Sequence, residues 1–265
     1  MSTPIALTIA GSDSGGGAGI EADLKTFSAL GVYGAAVITA VTAQNTKGVF
    51  AIHDVPGDFI AAQINAVFTD FSIGAVKIGM LGNAAAIDVV TAALDRYHPP
   101  NVVLDPVMVA SSGERLLRED ALGRLRDLLS RVRVVTPNLP EAAVLLGASP
   151  ARDEGEMRAQ AQALLSLGAG AVLIKGGHGS GPESVDLLVG ADGCLRFAAP
   201  RVATRNTHGT GCTFSSAIAA GLATGLSLED AAGQAKAYVS AAIAAADRLA
   251  VGSGRGPLHH FHAWW

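Results

Sequence analysis

The chain has 265 residues, 49% of them apolar and 16% charged, with a formal net charge of −4. That balance supplies a large buried core and excludes an intrinsically disordered chain, and the lack of a long basic run argues against a nucleic-acid partner. No apolar stretch approaches the roughly 20 residues of a membrane span, no basic segment precedes an apolar one at the N-terminus, and Cys194 and Cys212 are not spaced as a zinc motif. The expectation is a cytoplasmic protein with reduced thiols and no membrane partner.

In chain order, IALTIA (5–10) reads as a buried strand, followed by the loop GSDSGGG and a helix from Ala18 to Leu30, with Gly31 placed as a C-terminal cap. GAAVITAV (34–41) and VFAIHDV (49–55) read as strands, and Pro56 opens a helix over 57–70. AVKIGM (75–80) is strand-like, 84–97 helical, and NVVLD (101–105) a strand stopped by Pro106. A mixed-charge helix over 119–131 precedes the strand VRVVTPN (132–138), a short helix over 140–146, a helix over 155–167 and the strand AVLIK (171–175). SVDLLVG and CLRFAAP flank Ala191-Asp192-Gly193 as a hairpin, and helices over 210–224 and 228–249 close the pattern. Repeated strand–helix alternation with near-continuous apolar strands predicts an α/β fold: one domain over 1–265, with a mostly parallel central sheet, helices on both faces and a small antiparallel hairpin.

Ligands of such sheets bind beyond the carboxyl ends of the strands. Gly11-Ser12-Asp13, Gln44-Asn45, Gly79-Met80, Asp105, Asn138 with Glu141, and Lys175-Gly176-Gly177-His178 stand at those positions. The sharpest local feature is RNTHGTGCTFSSAIAAGLATG (205–225), a glycine-rich turn running into a helix of small residues. Unpaired N–H groups at the positive end of a helix suit an anion, so Gly209, Thr210, Gly211 and Cys212 read as an anion hole, or else as a tightly packed helix start. A thiol in that first turn is expected to have a lowered pKa and to act as base or nucleophile. No GxxxxGKS or GxxxxGKT occurs, and GSDSGGGAGI lacks a dinucleotide-binding register, which excludes the Walker-A and dinucleotide classes.

Asp23 shares the apolar stripe of its helix with Ile20 and Phe27, where an acid needs a partner or a ligand. Gln44 offers the donor–acceptor edge that an aminated heteroaromatic ring requires. Asp105, Asn138 and Glu141 suit a divalent metal, held directly or through water, and Lys175 suits nucleotide phosphates. HHFHAWW (259–265) reads as an aromatic tail packed on the domain rather than as a metal site.

The segments ALTIAGSDSGGGAGIEADLKTFSALGVYG, VITAVTAQNT, VKIGML, DPVMVASSG, TPNLPEA, KGGH and NTHGTGCTFSSAIAA together resemble the ribokinase-like fold, and within it the hydroxymethylpyrimidine/phosphomethylpyrimidine kinases of thiamin biosynthesis. The resemblance implies ATP- and Mg2+-dependent phosphorylation of 4-amino-5-hydroxymethyl-2-methylpyrimidine, then of its monophosphate. It implies that Gln44 meets the aminopyrimidine edge, with Gly11, Asp23, Met80 and Val107 around it. Asn138 and Glu141 would lie near metal and phosphate, with Lys175 and Thr207 along the ATP phosphates. The wider fold family places aspartate as base where this chain has Cys212; some pyridoxal kinases also have cysteine there, so a pyridoxal kinase, or a non-catalytic pyrimidine sensor on the same fold, stays as an alternative. Glu21, where glutamine is common, reads as a surface change. Members of the family are often dimeric, which makes a homodimer the expectation.

Overall fold

The computed structural model describes residues 3–110, 113–177 and 181–265; His178 and the Ser111-Ser112 pair of the quoted motifs lie outside them. Nine strands form one sheet among the described residues, in the order β3-β2-β1-β4-β5-β6-β7-β8-β9. Six neighbours run parallel: β2 (Tyr33–Asn45), β1 (Ile5–Asp13), β4 (Ala75–Ile78), β5 (Val102–Leu104), β6 (Val134–Val135) and β7 (Val172–Lys175). The edges are antiparallel: β3 (Gly48–Asp54) beside β2, and β8 (Glu183–Gly190) with β9 (Gly193–Pro200) beside β7.

Alternation along the parallel strands divides the core. Leu7, Ile9, Val76, Ile78, Val102 and Leu104 face one side and pack with Ile60, Ile87, Leu128, Leu145 and Leu164. Those partners sit on α2 (Gly57–Phe68), α3 (Ala84–Tyr97), α4 (Leu122–Leu128), α5 (Leu139–Leu146) and α6 (Glu154–Leu165). The intervening Ala6, Ala75, Val103 and Val134 face the other side, against α1 (Gly19–Ala29), α7 (Thr210–Ala223) and α8 (Leu228–Ala244). Their small side chains let the glycine- and alanine-rich α7 lie close to the sheet, which sets its N-terminus at the carboxyl edge of the parallel strands.

The elements agree with the sequence reading in type. They differ at the ends: β1 runs on to Asp13 and β2 to Asn45, whereas β6 is two residues long and the 119–131 helix is α only over Leu122–Leu128, with 3-10 turns on either side. The pairing of β2 with β3 gives a second antiparallel edge beyond the expected hairpin. Leu258, His259 and His260 are buried, and Tyr238 Oη donates to the His260 carbonyl at 2.7 Å, so the start of the tail packs as expected while Trp264 and Trp265 stay about 70% exposed. No helix among the described residues is long and apolar enough to cross a membrane.

Candidate active site

The strand ends and the start of α7 enclose a cleft of about 1020 Å³. Its centre is the turn into α7. Gly209 has φ +82°, a left-handed conformation, and a side chain there would collide with the Gly17 carbonyl oxygen. The glycine thus lets the 205–211 loop lie directly on the glycine-rich loop after β1. Thr210 Oγ1 and N–H both point to the Thr207 carbonyl, at 2.7 and 3.3 Å, which leaves the N–H groups of Gly211 and Cys212 at the helix start without an intrahelical partner. A methyl group added at Gly211 would lie 3.2 Å from Lys175 Nζ and 3.4 Å from Asp105 Oδ2, so those charges stand directly beside the backbone donors.

Lys175 Nζ and Asp105 Oδ1 form an ion pair of 2.7 Å, and Asp105 Oδ2 is buried with no hydrogen-bond partner. Glu141 closes the same corner. Asn138 caps α5 through its Oδ1, which accepts from the Glu141 N–H at 2.9 Å, while Glu141 Oε2 accepts from the Asn138 N–H at 2.8 Å. Burial pushes the Glu141 carboxyl up to about 7, reinforced by Asp105 and opposed by Lys175. An acid held above its ordinary 4.5 stabilises the fold fully below that pH, and the contribution is lost as pH rises through 7, because the unfolded chain then releases a proton that the folded chain retains. Glu141→Gln keeps the cap but does not titrate. It should match the wild type in urea unfolding at pH 4.5 and exceed it at pH 8 by up to about 3 kcal/mol, measured without metal or nucleotide.

At the opposite end, Gly11 faces the Met80 side chain, and both border the cleft with Val107 and Gln44. Thr207 lies on the exposed rim of the loop before α7. Every residue expected at the site therefore lines this one cleft, except Asp23.

Asp23 is a correction. It is wholly buried behind the cleft wall, where it pairs with Lys77 at 2.8 Å and accepts from Thr8 Oγ1 and Ser216 Oγ, each at 2.6 Å. Its place on the apolar stripe signalled a partner, and the partner is a lysine of β4 rather than a substrate. Lys77 has no exposed surface. Burial works against its charge, but the Asp23 carboxylate outweighs burial and holds its pKa above the ordinary lysine value.

Cys212 is the second correction. Part of the residue stays open to the cleft, yet the protein surrounds the sulfur. Burial pushes the thiol up to about 11; Lys77 opposes this, the Asp23 and Asp105 carboxylates add to it, and the Gly19 N–H offsets little. The helix-start argument for a lowered pKa loses to desolvation and to two acids from distant segments. Glu21 is the third: it is not a plain surface position, since its carboxylate accepts from Ser12 Oγ at 2.5 Å and from the Asp13 N–H at 2.8 Å.

The sequence places Asp13 at a strand end without showing its role, and it gives no signal for His208 or the Lys236–Asp186 pair; Lys77 also went unassigned. Asp13 Oδ1 accepts from the Gly15 N–H, and Oδ2 from those of Gly17 and Ala18, which folds the glycine loop around one carboxylate. His208 Nε2 stands 2.8 Å from Asp13 Oδ2. Lys236 Nζ and Asp186 Oδ2, 2.7 Å apart, line the far end of the cleft. Lys77 was the most findable, as a lone cation within an apolar parallel strand. Cys194, half-buried beside its hairpin, packs against the core as an ordinary small side chain.

Over residues 13–259 the sequence matches the family described as phosphomethylpyrimidine kinase. It is 58% identical over 264 residues to the hydroxymethylpyrimidine/phosphomethylpyrimidine kinase of Rhizobium meliloti (strain 1021), with 99% of each chain covered. Among solved structures it is similar to the phosphomethylpyrimidine kinase of Clostridium difficile 630, at TM-score 0.81 and 44% identity, covering 90% of this chain and 99% of that one. It is also similar to a Bacillus subtilis pyridoxal kinase in an ADP complex, at TM-score 0.90 and 34% identity, covering 99% of both. With a phosphate-suited helix start facing a lysine and two acids in one cleft, and with these likenesses along its length, the chain belongs to the phosphomethylpyrimidine kinase family.

Proposed function

We propose that the cleft transfers the γ-phosphoryl group of ATP to the hydroxymethyl oxygen of 4-amino-5-hydroxymethyl-2-methylpyrimidine, and then a second phosphoryl group to the monophosphate, as a step of thiamin biosynthesis. The observation that carries this reading is the junction at Gly211, where helix-start N–H groups meet Lys175 Nζ and Asp105 Oδ2, which lie 3.2 and 3.4 Å from the place a side-chain carbon would take. Such donors stabilise charge on a transferring phosphoryl group without reorganising. The Gln44 end takes the pyrimidine, bordered by Gly11, Met80 and Val107; the Asn138–Lys175–Thr207 side takes the nucleotide, for which the ADP-bound neighbour gives support.

Mg2+ fits the same corner. Asp105 Oδ2 is a buried acceptor with no partner, Glu141 lies beside it, and no cluster of three or more His, Cys, Asp or Glu among the described residues is arranged to hold a metal alone. That donor set suits an ion that keeps waters and leans on one or two carboxylates plus substrate phosphates. When bound, it would neutralise phosphate charge. Cys212 takes up or directs the proton of the hydroxymethyl group, while the Gly211 and Cys212 N–H groups hold the phosphoryl oxygens. We read the enzyme as cytoplasmic and homodimeric, with small-molecule ligands and no nucleic-acid or membrane partner.

A coupled assay of ADP release tests the reading. Turnover is expected with the hydroxymethylpyrimidine and with its monophosphate, and no more than weak turnover with pyridoxal. Turnover confined to pyridoxal would make the chain a pyridoxal kinase, and tight binding of the pyrimidine without turnover would make it a sensor.

A further inference from the structure

The Gln44 amide sits between two side chains that fix its direction by proton count. One of its terminal atoms lies 3.3 Å from His208 Nε2 and the other 3.2 Å from Thr42 Oγ1. Asp13 accepts three backbone N–H bonds on its two oxygens and stands 2.8 Å from His208 Nε2. An ionised carboxylate at that distance requires a proton on Nε2, in the neutral tautomer as in the imidazolium. Burial opposes the charge on Asp13, but His208 and the loop N–H groups outweigh it and hold its pKa below the usual value. With its one Nε2 proton turned to Asp13, His208 has no lone pair there for an amide NH2, so the Gln44 atom facing it has to be the oxygen, which shares that N–H as the longer partner. Thr42 gives the same answer independently: its single hydroxyl proton goes to the Ser12 carbonyl at 2.9 Å, so it meets Gln44 with a lone pair and needs the NH2.

The surroundings are closely packed and hydrogen-bonded. A side chain at Gly17 would press on His208 Cδ2, and the His208 N–H donates to the Gly256 carbonyl at 3.1 Å. The Gln44 backbone is clamped by Ser14 Oγ, which accepts its N–H at 2.9 Å and donates to its carbonyl at 2.8 Å. We propose that His208, oriented by Asp13, is a specificity-determining residue: with Thr42 it locks the Gln44 amide with carbonyl toward His208 and NH2 toward Thr42. A locked amide presents one order of acceptor and donor to the ring. It pairs with an exocyclic amine beside an unprotonated ring nitrogen, and mispairs with the 4-oxo counterpart, where carbonyl and ring N–H reverse the order. An unlocked amide would turn over and accept either.

This inference rests on the reading of Gln44 as the pyrimidine contact. The experiment measures kcat/KM for the 4-amino substrate and for its 4-oxo analogue in the wild type, His208→Met, His208→Gln, Thr42→Val and Gln44→Ala. The wild type should prefer the amino compound, and His208→Met and Thr42→Val should each cut the amino/oxo ratio about tenfold, the worth of one mispaired hydrogen bond. His208→Gln, which keeps an N–H donor within reach of Asp13, should retain the ratio. Equal losses on both compounds in His208→Met and Thr42→Val, with the ratio unchanged, would overturn the lock. Should His208→Met fail to fold, the Thr42→Val ratio decides. Gln44→Ala separates the two levels: an unchanged KM for the amino substrate removes the Gln44 reading itself, whereas a raised KM together with an unchanged ratio in the other variants removes the lock alone.

Discussion

Cys212→Ala should slow transfer to the hydroxymethyl group about 100-fold or more, while transfer to the monophosphate changes less than about tenfold. The asymmetry follows from the nucleophiles. An alcohol oxygen has to lose its proton as it attacks, whereas a phosphate oxygen is already ionised near neutral pH and needs no base. The position of the thiol adds a pH signature. With its pKa raised to about 11, Cys212 is protonated at neutral pH. If its thiolate is the base, the active fraction grows about tenfold per pH unit below that value, so the first transfer should climb with that slope between pH 7 and 9 while the second stays nearly level. Cys212→Ser separates the two roles the geometry allows. A hydroxyl keeps the size and the hydrogen bond but does not ionise, so a base role predicts that serine fails as alanine does. Retained first-step activity in the serine variant, with a level wild-type pH profile, would leave Cys212 as a residue that directs the hydroxymethyl group. Equal loss of both transfers in Cys212→Ala would reduce it to packing.

What the sequence carried was local, and what it withheld was long-range. The apolar period of each strand, the cap at Gly31 and the glycine-rich turn before Thr210 all depend on near neighbours, and the structure has them where the pattern placed them. The carboxyl-edge rule then brought segments from Gly11 to Cys212 into one cleft without any knowledge of their contacts. The errors share one cause. Asp23 was recognised as an acid on a buried stripe, but its partner lies 54 residues away on β4. Cys212 was judged by its own helix turn, whereas its titration is set by burial and by Asp23, Asp105 and Lys77 from three other elements. His208 gives no signal within its own glycine-rich segment, because the aspartate it pairs with lies 195 residues away. The β2–β3 edge was unrecognised because Thr46-Lys47 lacks the glycine or asparagine that marks a two-residue turn.

The buried pair behind Cys212 carries the second large expectation. Lys77→Met should destabilise the protein by about 3–5 kcal/mol in urea unfolding, since it leaves the Asp23 carboxylate sealed from water without its cation. Thr8 and Ser216 still donate to that carboxylate, but two hydroxyls do not replace a full charge. Adding Asp23→Asn to Lys77→Met should recover much of the loss, because the double variant buries no net charge and the amide oxygen can still accept from a hydroxyl. The same substitutions separate an electrostatic role from a merely structural one. Ser216 lies one helical turn beyond Cys212 and is tied to Asp23, which in turn holds Lys77, so the network underlies the face of α7 that carries the thiol. Lys77 favours the Cys212 thiolate and Asp23 opposes it. Alkylation of Cys212 by iodoacetamide, followed against pH in a Cys194→Ser background, should therefore slow in Lys77→Met and quicken in Asp23→Asn. Loosened packing alone would expose the sulfur and quicken alkylation in both. Opposite signs are the mark of a charged pair that sets the proton affinity of Cys212, and a common sign would reduce the pair to a tie between α1, β4 and α7.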